Sequence, residues 1–341
     1  MITPRDRGPQ RELWFVGPHT VELRDGPAPR EPARGEIVAR ALVSGISQGT
    51  EMLLYRGEGP TPFDPSLDPE GAPTYPRRYG YAWVGEVIAA GAGVDIAPGE
   101  RVFALAPHGD VHLLRRSAAH SLPATIPSER AVLAANLETA VNCIWDAGIG
   151  LGDEVVVLGG GVVGLLIVTL ACRAGARVRL VEPSLRRREA GLALGAHQAV
   201  APDEDRPDAR ADVVFGATGD PAEIDRAVAH AGREATIVIA SFYGERRSPV
   251  ALGADFHRRR LRLRASQVST LPAERAPRWD AARRFGLVRA LLEDPRLDQL
   301  LDPPLPFHEA PTVYARLAAN PGAGLQSVLR YRPAPAPEGM V

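Results

Sequence analysis

Gly159, Gly161 and Gly164 have the spacing G-x-G-x-x-G, directly after the apolar run Glu154–Leu158 and at the head of a second apolar run. In this context each glycine has its own task in holding a pyrophosphate. Gly159 permits a tight turn, Gly161 lets phosphate oxygens approach the backbone, and Gly164 lets a helix pack closely on the strand. The N–H groups of Val162, Val163 and Gly164, at a helix start, would favour an anion there. Glu182 stands 21 residues after Gly161, at the end of the next apolar run. A carboxylate at that point accepts hydrogen bonds from the adenosine ribose hydroxyls and repels a 2′-phosphate, which predicts NAD as the cofactor. Arg186, Arg187 and Arg188 follow closely, and a guanidinium such as that of Arg187 can pair with a phosphate, so NADP stays open.

These residues require a scaffold of alternating strands and helices. Strands are expected at Glu154–Leu158, Val178–Glu182, Asp212–Gly216, Thr236–Ala240 and Leu261–Ala265, with helices at Gly164–Ala174, Leu185–Leu194 and Ala222–Ala231. The strands are almost unbroken Val/Ile/Leu runs, as in sheets covered on both faces. The fold class that follows is α/β, with a doubly wound parallel sheet of the Rossmann type. Ala217, Thr218 and Ser241 fall just after two of these strands, at carboxyl ends where ligands bind in open sheets.

The first 125 residues read differently. Short apolar runs at Glu36–Val43, Ala82–Ala89 and Arg101–Ala106 are separated by Gly/Pro turns, which predicts a β-rich domain. Gly57–Arg78 is a long Pro-rich loop, and loops of that length in compact domains usually carry function or move. The last part, from residue 268, offers a helix at Asp280–Leu292, a strand at Ser327–Tyr331 and a Pro-rich tail.

Composition narrows the chemistry. The 341 residues suggest about two domains, and a net charge of −1 with 45% hydrophobic residues describes a globular chain without a nucleic-acid footprint. All 40 basic residues are Arg. A Schiff-base lysine, a phosphate-loop lysine and a Tyr-x-x-x-Lys dehydrogenase site are therefore excluded, because Arg stays protonated and is no amine nucleophile. Cys143 and Cys172 are the only cysteines, too few for a disulfide framework or a four-Cys zinc lobe. The amino terminus lacks a signal-like apolar segment, and three glycines interrupt the longest apolar run, Val155–Cys172. A cytoplasmic protein with a small-molecule substrate and no membrane or nucleic-acid partner is expected.

The sequence resembles the medium-chain dehydrogenase/reductase superfamily over almost its whole length. The resemblance is carried by SGISQGTEMLLYRG (Ser44–Gly57), RYGYAWVGEV (Arg78–Val87), GLGDEVVVLGGGVVG (Gly150–Gly164), LGAHQAV (Leu194–Val200) and DVVFGATG (Asp212–Gly219). ASQVS (Ala265–Ser269) and RWDAARR (Arg278–Arg284) resemble a subgroup that contains bacteriochlorophyllide-like alcohol dehydrogenases. It implies a GroES-like catalytic domain over 1–125, a Rossmann domain over 126–267, and a return to the catalytic domain over 268–341. It also implies a homodimer formed through the edge strand Leu261–Ala265.

Zinc-containing members of the superfamily hold a metal with Cys, His–Glu and a further Cys or Glu. In this sequence the matching positions are Ser47, Tyr81–Ala82 and Ala135, and a neighbouring His position is Leu53. These are not zinc ligands, so no metal site is expected. His108 and His112 are four residues apart, but Gly109–Asp110 between them suggests a turn rather than a metal-binding helix.

Without zinc, proton donors must stabilise charge on a substrate oxygen. The resemblance places Ser47 and Thr50 in the hydroxyl-relay loop, Tyr81 where it can donate its phenol proton, and Glu51 where it can orient that donor or bind a substrate hydroxyl. Each has a plainer reading as well: turn residue, helix cap, core aromatic, first-turn carboxylate. Thr139 would face the nicotinamide, and Tyr55, Trp83 and Trp145 are candidate substrate walls. The expected activity is a zinc-independent NAD(P)(H)-dependent oxidoreductase that interconverts a secondary alcohol and a ketone on a small or medium polar metabolite. The hydride would pass directly in a cleft between the domains. Reduction of a C=C bond, a silent nucleotide-binding protein and an NAD-assisted cyclase or lyase are the alternatives.

Overall fold

Six parallel strands carry the glycine turn, in the spatial order Gln198–Val200, Arg177–Val181, Glu154–Leu158, Ala211–Gly216, Ala231–Ile239, Arg262–Ala265. The first strand in sequence, Glu154–Leu158, therefore lies inside the sheet, and the order reverses beside it. That reversal is the switch point at which doubly wound sheets bind nucleotides. In this computed structural model the residues described are 10–59, 75–244, 246–248, 250–322 and 324–331.

The five expected strands are present, with ends shifted by a few residues. A sixth, Gln198–Val200, was not anticipated: it has three residues, none of them fully buried, so it offers almost no apolar signal. Helices Val162–Arg173, Leu185–Ala193 and Glu223–His230 connect the strands. The helix after the glycine turn begins two residues earlier than expected, at Val162. Val156, Leu158, Val181, Val214 and Ile237 form one buried side of this unit.

The other unit is antiparallel. Glu36–Ile46 is its longest strand, and it pairs with Trp83–Ala90, with Val111–Arg115 and with Ser327–Arg330. The late strand Ser327–Arg330 lies against residues 43–46, so the carboxyl-terminal part of the chain completes the sheet begun near the amino terminus. A smaller sheet joins Gln10–Gly17, Thr20–Gly26 and Arg77–Arg78. Leu13, Phe15, Ile37, Trp83, Tyr314 and Leu329 are core residues of this unit. Helices Thr50–Arg56 and Ala310–Ala319 pack on each other.

By contacts the chain separates into two units. Of the described residues, one takes in 10–57, 75–133 and most of 301–331; the other holds most of 134–300. The helix Ala281–Leu291, read above as part of the return segment, belongs to the second unit, where it packs on Ala134–Ala147. Most of the Pro-rich segment Gly57–Arg78 and the tail beyond Tyr331 lie outside the described residues.

Candidate active site

At the glycine turn each glycine meets a different restraint. Gly159 has φ +98°, in the region that favours glycine, and a side chain there would strike the backbone of Ala217. A Cβ on Gly164 would lie 2.0 Å from the Gly159 carbonyl oxygen, so the helix can approach the turn only with glycine at this position. Gly161 differs. Its φ of −65° suits any residue, and a Cβ there would meet nothing within 4 Å. Glycine at 161 is thus unnecessary for packing, and the space beside it is open just where Val162–Arg173 presents its unpaired first-turn N–H groups. A dinucleotide pyrophosphate fits this cradle.

Glu182 follows Val181 at the end of the neighbouring strand, buried against the turn. Its Oε2 accepts from the Gly160 amide at 2.6 Å and its Oε1 from the Ser184 amide at 2.8 Å. The carboxylate keeps further lone pairs for ribose hydroxyls. Of the following arginines, Arg188 donates to the Glu182 and Pro183 carbonyls, while Arg187 is buried on its helix.

The next strand ends are tied together. Ser241 Oγ accepts from the Gly219 amide at 3.0 Å, and the Thr218 amide donates to Glu223 Oε2 at 2.9 Å. Tyr243 donates to the other oxygen of Glu223 at 2.5 Å, and burial pushes the Glu223 carboxyl up from its ordinary range. Glu223 and Tyr243 were not anticipated; an isolated acid at a helix start gives no sequence signal beyond the helix dipole. Ala217 Cβ borders Gly164. Thr139 lies on helix Ala134–Ala147 and bonds the Ala135 carbonyl at 3.1 Å. The same helix is anchored by Arg284, which reaches Glu138, Asn142 and the Val268 carbonyl at 2.7–3.1 Å.

A second constellation forms in the antiparallel unit. Helix Thr50–Arg56 starts directly after the loop that follows strand Glu36–Ile46, which brings Ser47, Thr50 and Glu51 together. Tyr81 donates to Ser47 Oγ at 2.5 Å, and the Thr50 hydroxyl is close enough to favour the phenolate. The phenol is pushed up to about 12, chiefly by burial and also by the negative charge of Glu51. Ser47, Thr50 and Tyr81 remain partly exposed, whereas Glu51 is completely enclosed. Thr50 does not cap its helix, since Gly49 holds the N-cap position.

Glu51 is surrounded by donors. Its Oε1 accepts from the Ser47 amide at 2.9 Å, and its Oε2 accepts from Tyr314 and pairs with His108 Nε2 at 3.0 Å. His108 Nδ1 meets Ser44 Oγ at 2.7 Å, and Ser44 meets the Tyr331 hydroxyl at 3.0 Å. The enclosure corrects the reading of Glu51 as a ligand for a substrate hydroxyl: no substrate reaches it. His108 and Tyr314 carried no local signal, since their partner is 57 and 263 residues away in sequence.

Two of the candidate walls are core residues. Trp83 is fully buried, and its indole donates to the Gly109 carbonyl at 3.0 Å. Tyr55 is buried between His19 and Tyr314, with ring centroids at 5.4 and 5.6 Å. Both sit on apolar faces that the core claims first. Trp145 is partly exposed in the other unit, 4.8 Å from Trp279 with the Arg275 guanidinium over its ring. Among the described residues no group of three or more His, Cys, Asp or Glu side chains is placed to hold a metal ion, and Ser47, Tyr81 and Ala135 are not zinc donors. No helix among them is long and apolar enough to cross a membrane.

Comparison with known proteins identifies relatives of the chain. Residues 151–253 match a family described as "Putative NAD(P)-binding". A 2-desacetyl-2-hydroxyethyl bacteriochlorophyllide A dehydrogenase of Cereibacter sphaeroides is 31% identical over 340 residues, covering 93% of this chain and 95% of the relative. A D-guloside 3-dehydrogenase of Escherichia coli K12 is 25% identical over 308 residues, covering 82% and 88%. Among solved structures, a "putative zinc-binding dehydrogenase" of Sinorhizobium meliloti 1021 bound to NADP superposes with a TM-score of 0.78 at 22% identity, over 95% of this chain and 99% of the other. A 2R,3R-butanediol dehydrogenase of Bacillus subtilis gives 0.77 at 17% identity, over 94% and 99%; these two show the shared fold. The chain is a member of the medium-chain dehydrogenase/reductase superfamily of zinc-type alcohol dehydrogenase-like proteins, with an NAD(P)-binding domain of the Rossmann type.

Proposed function

We propose that this oxidoreductase works without zinc and interconverts a secondary alcohol and a ketone, with Tyr81 as the proton donor and acceptor at the substrate oxygen. The observation that carries the reading is the hydroxyl cluster of Tyr81, Ser47 and Thr50, partly exposed and backed by the enclosed Glu51. NAD(P), when bound, supplies the hydride acceptor or donor. The amides of the turn at Gly161–Val163 would hold its pyrophosphate and Glu182 its adenosine ribose, with Thr139, Ala217, Thr218 and Ser241 along the rest of the cofactor. The Glu182 charge favours NAD over NADP.

In the reducing direction the Tyr81 hydroxyl gives its proton to the developing alkoxide. The Ser47 and Thr50 hydroxyls then turn to donate to the phenolate, and both already lower the cost of that anion. Burial and the Glu51 charge keep the phenol protonated at neutral pH, the state an acid needs. Relatives named as a 2-desacetyl-2-hydroxyethyl bacteriochlorophyllide A dehydrogenase and a D-guloside 3-dehydrogenase support an alcohol–carbonyl interconversion. Pairing of two copies through the outer strand Arg262–Ala265 is part of the same proposal.

Two measurements test it. Elemental analysis of freshly purified protein should return no stoichiometric zinc, and a chelator should leave turnover unchanged; zinc at one per chain with activity restored by the metal overturns the reading. On a panel of ketones and enones, Tyr81→Phe should lower carbonyl reduction by about 10²–10⁴. If it leaves turnover intact and the wild type prefers enones, hydride addition to a C=C bond takes its place.

A further inference from the structure

We propose that His108 and Tyr314 are positioning residues for this site: they hold the Glu51 carboxylate so that its free oxygen fixes the Ser47 amide, and with it the hydroxyl against Tyr81. This inference rests on the reading of Tyr81 as the group that acts on the substrate oxygen.

The argument begins with counting donors. Glu51 Oε1 receives the Ser47 amide, and Oε2 receives Tyr314 and His108. The enclosed carboxylate is satisfied as an anion by the Ser47 amide, the Tyr314 hydroxyl and an Nε2–H of His108. Were it to protonate and donate to Nε2 instead, the ring proton would sit on Nδ1 and the Ser44–Tyr331 bond would have to reverse. Its charge therefore fixes the proton of His108 on Nε2. Nδ1 is then an acceptor and takes the Ser44 hydroxyl proton at 2.7 Å. Ser44 in turn accepts from the Tyr331 hydroxyl, whose own oxygen accepts from the Gly109 amide at 3.2 Å. Every hydrogen in the chain has an acceptor only in this direction. With an imidazolium, Ser44 would donate to Tyr331 and the Tyr331 proton would lose the partner it has here.

The chain runs in one direction from Gly109 to Glu51 and ends under Tyr81. Glu51 and His108 are 0% and 1% exposed, and Ser44 and Tyr314 are 0% exposed, so water does not loosen the arrangement. His108 also touches the tyrosine segment directly. Gly80 has φ +133°, and a Cβ there would lie 2.9 Å from His108 Cδ2, so the backbone before Tyr81 passes against the imidazole edge. Thus two residues from distant parts of the chain, neither exposed to a substrate, set the loop that carries Ser47.

Hydrogen exchange of the full-length protein tests the inference without a substrate. In His108→Leu and in Tyr314→Phe the Ser47 amide should exchange at least tenfold faster, while the amides of strand Glu36–Ile46 keep their protection. His108→Gln retains a donor in place of Nε2 and should restore most of the Ser47 protection. ¹⁵N spectra of the wild type should show the His108 proton on Nε2, with Nδ1 as an acceptor. Unchanged Ser47 exchange in both variants, loss of protection throughout the unit, no rescue by Gln, or an Nδ1-protonated ring each overturns the proposal. If Ser47 responds as expected but Tyr81→Phe retains full carbonyl turnover, the positioning stands and the role of Tyr81 falls.

Discussion

The Gly160 amide donates to Glu182 Oε2 over 2.6 Å, so the acid that would face the adenosine ribose is clamped to the turn that would face the pyrophosphate. The two halves of a dinucleotide site are thereby fixed relative to each other before any cofactor arrives. With the carboxylate held in place, NADH should bind at least tenfold more tightly than NADPH in direct titrations by intrinsic fluorescence. That is about 1.4 kcal/mol of discrimination. Glu182→Gln should narrow the gap by removing the charge while keeping one acceptor for the amides.

Gly161 and Gly164 should separate binding from stability. Gly164→Ala forces a Cβ against the Gly159 carbonyl oxygen and should cost about 1–3 kcal/mol in denaturant unfolding. Gly161→Ala meets open space at an ordinary φ, so its unfolding midpoint should match the wild type. The same methyl group would occupy the approach of the pyrophosphate, and NADH titration should show affinity reduced tenfold or more.

Tyr81 should behave as an acid that stays protonated across the neutral range. Its phenol is pushed up to about 12, so the proton needed for ketone reduction is present well below that pH and is lost only as pH rises through it. The rate of reduction should therefore show no alkaline fall from this group between about pH 6 and 10. Tyr81→Phe should lower kcat for a ketone by about 10²–10⁴. The pH–rate profile and single-turnover rates check both statements.

His112 supplies a pH dependence of stability. Burial is the main cause that lowers it from its ordinary 6.5 to about 4, with Nε2 bonded to the Pro107 carbonyl at 2.8 Å. The native state favours the neutral ring, so the contribution is complete above about pH 6.5. It is lost as pH falls toward 4, because the unfolded chain takes up the proton first. The loss should reach about 2–3 kcal/mol. His112→Gln should flatten that part of the curve when unfolding free energy is measured from pH 7 to 4.

Arg284 should matter for folding. It is buried and joins Glu138, Asn142 and the Val268 carbonyl, and its removal leaves a carboxylate and an amide unmatched. Arg284→Leu should cost about 3–5 kcal/mol in denaturant unfolding.

Much of the nucleotide-binding unit could be read from the sequence, because its signals are local. A strand buried on both faces must be an apolar run, and a helix that crosses a glycine turn must have glycine at the contact; Glu154–Leu158 and Gly164 state this within a few residues. The strand Gln198–Val200 escaped because three partly exposed residues carry no such run. At the hydroxyl cluster proposed to act on the substrate the sequence supplied the types and the neighbourhood: Ser47, Thr50, Glu51 and Tyr81. Ser47, Tyr81 and Ala135 stand at the positions that the resemblance matches to zinc ligands. Only tertiary structure decided that Tyr81 and Ser47 keep some exposure while Glu51, Tyr55 and Trp83 do not. It alone brought His108 and Tyr314 onto one carboxylate. Burial and long-range hydrogen bonding depend on which distant segments fold against a residue. Strand Ser327–Arg330 closing on residues 43–46 is such an event, and nothing in the residues near Glu51 encodes it alone.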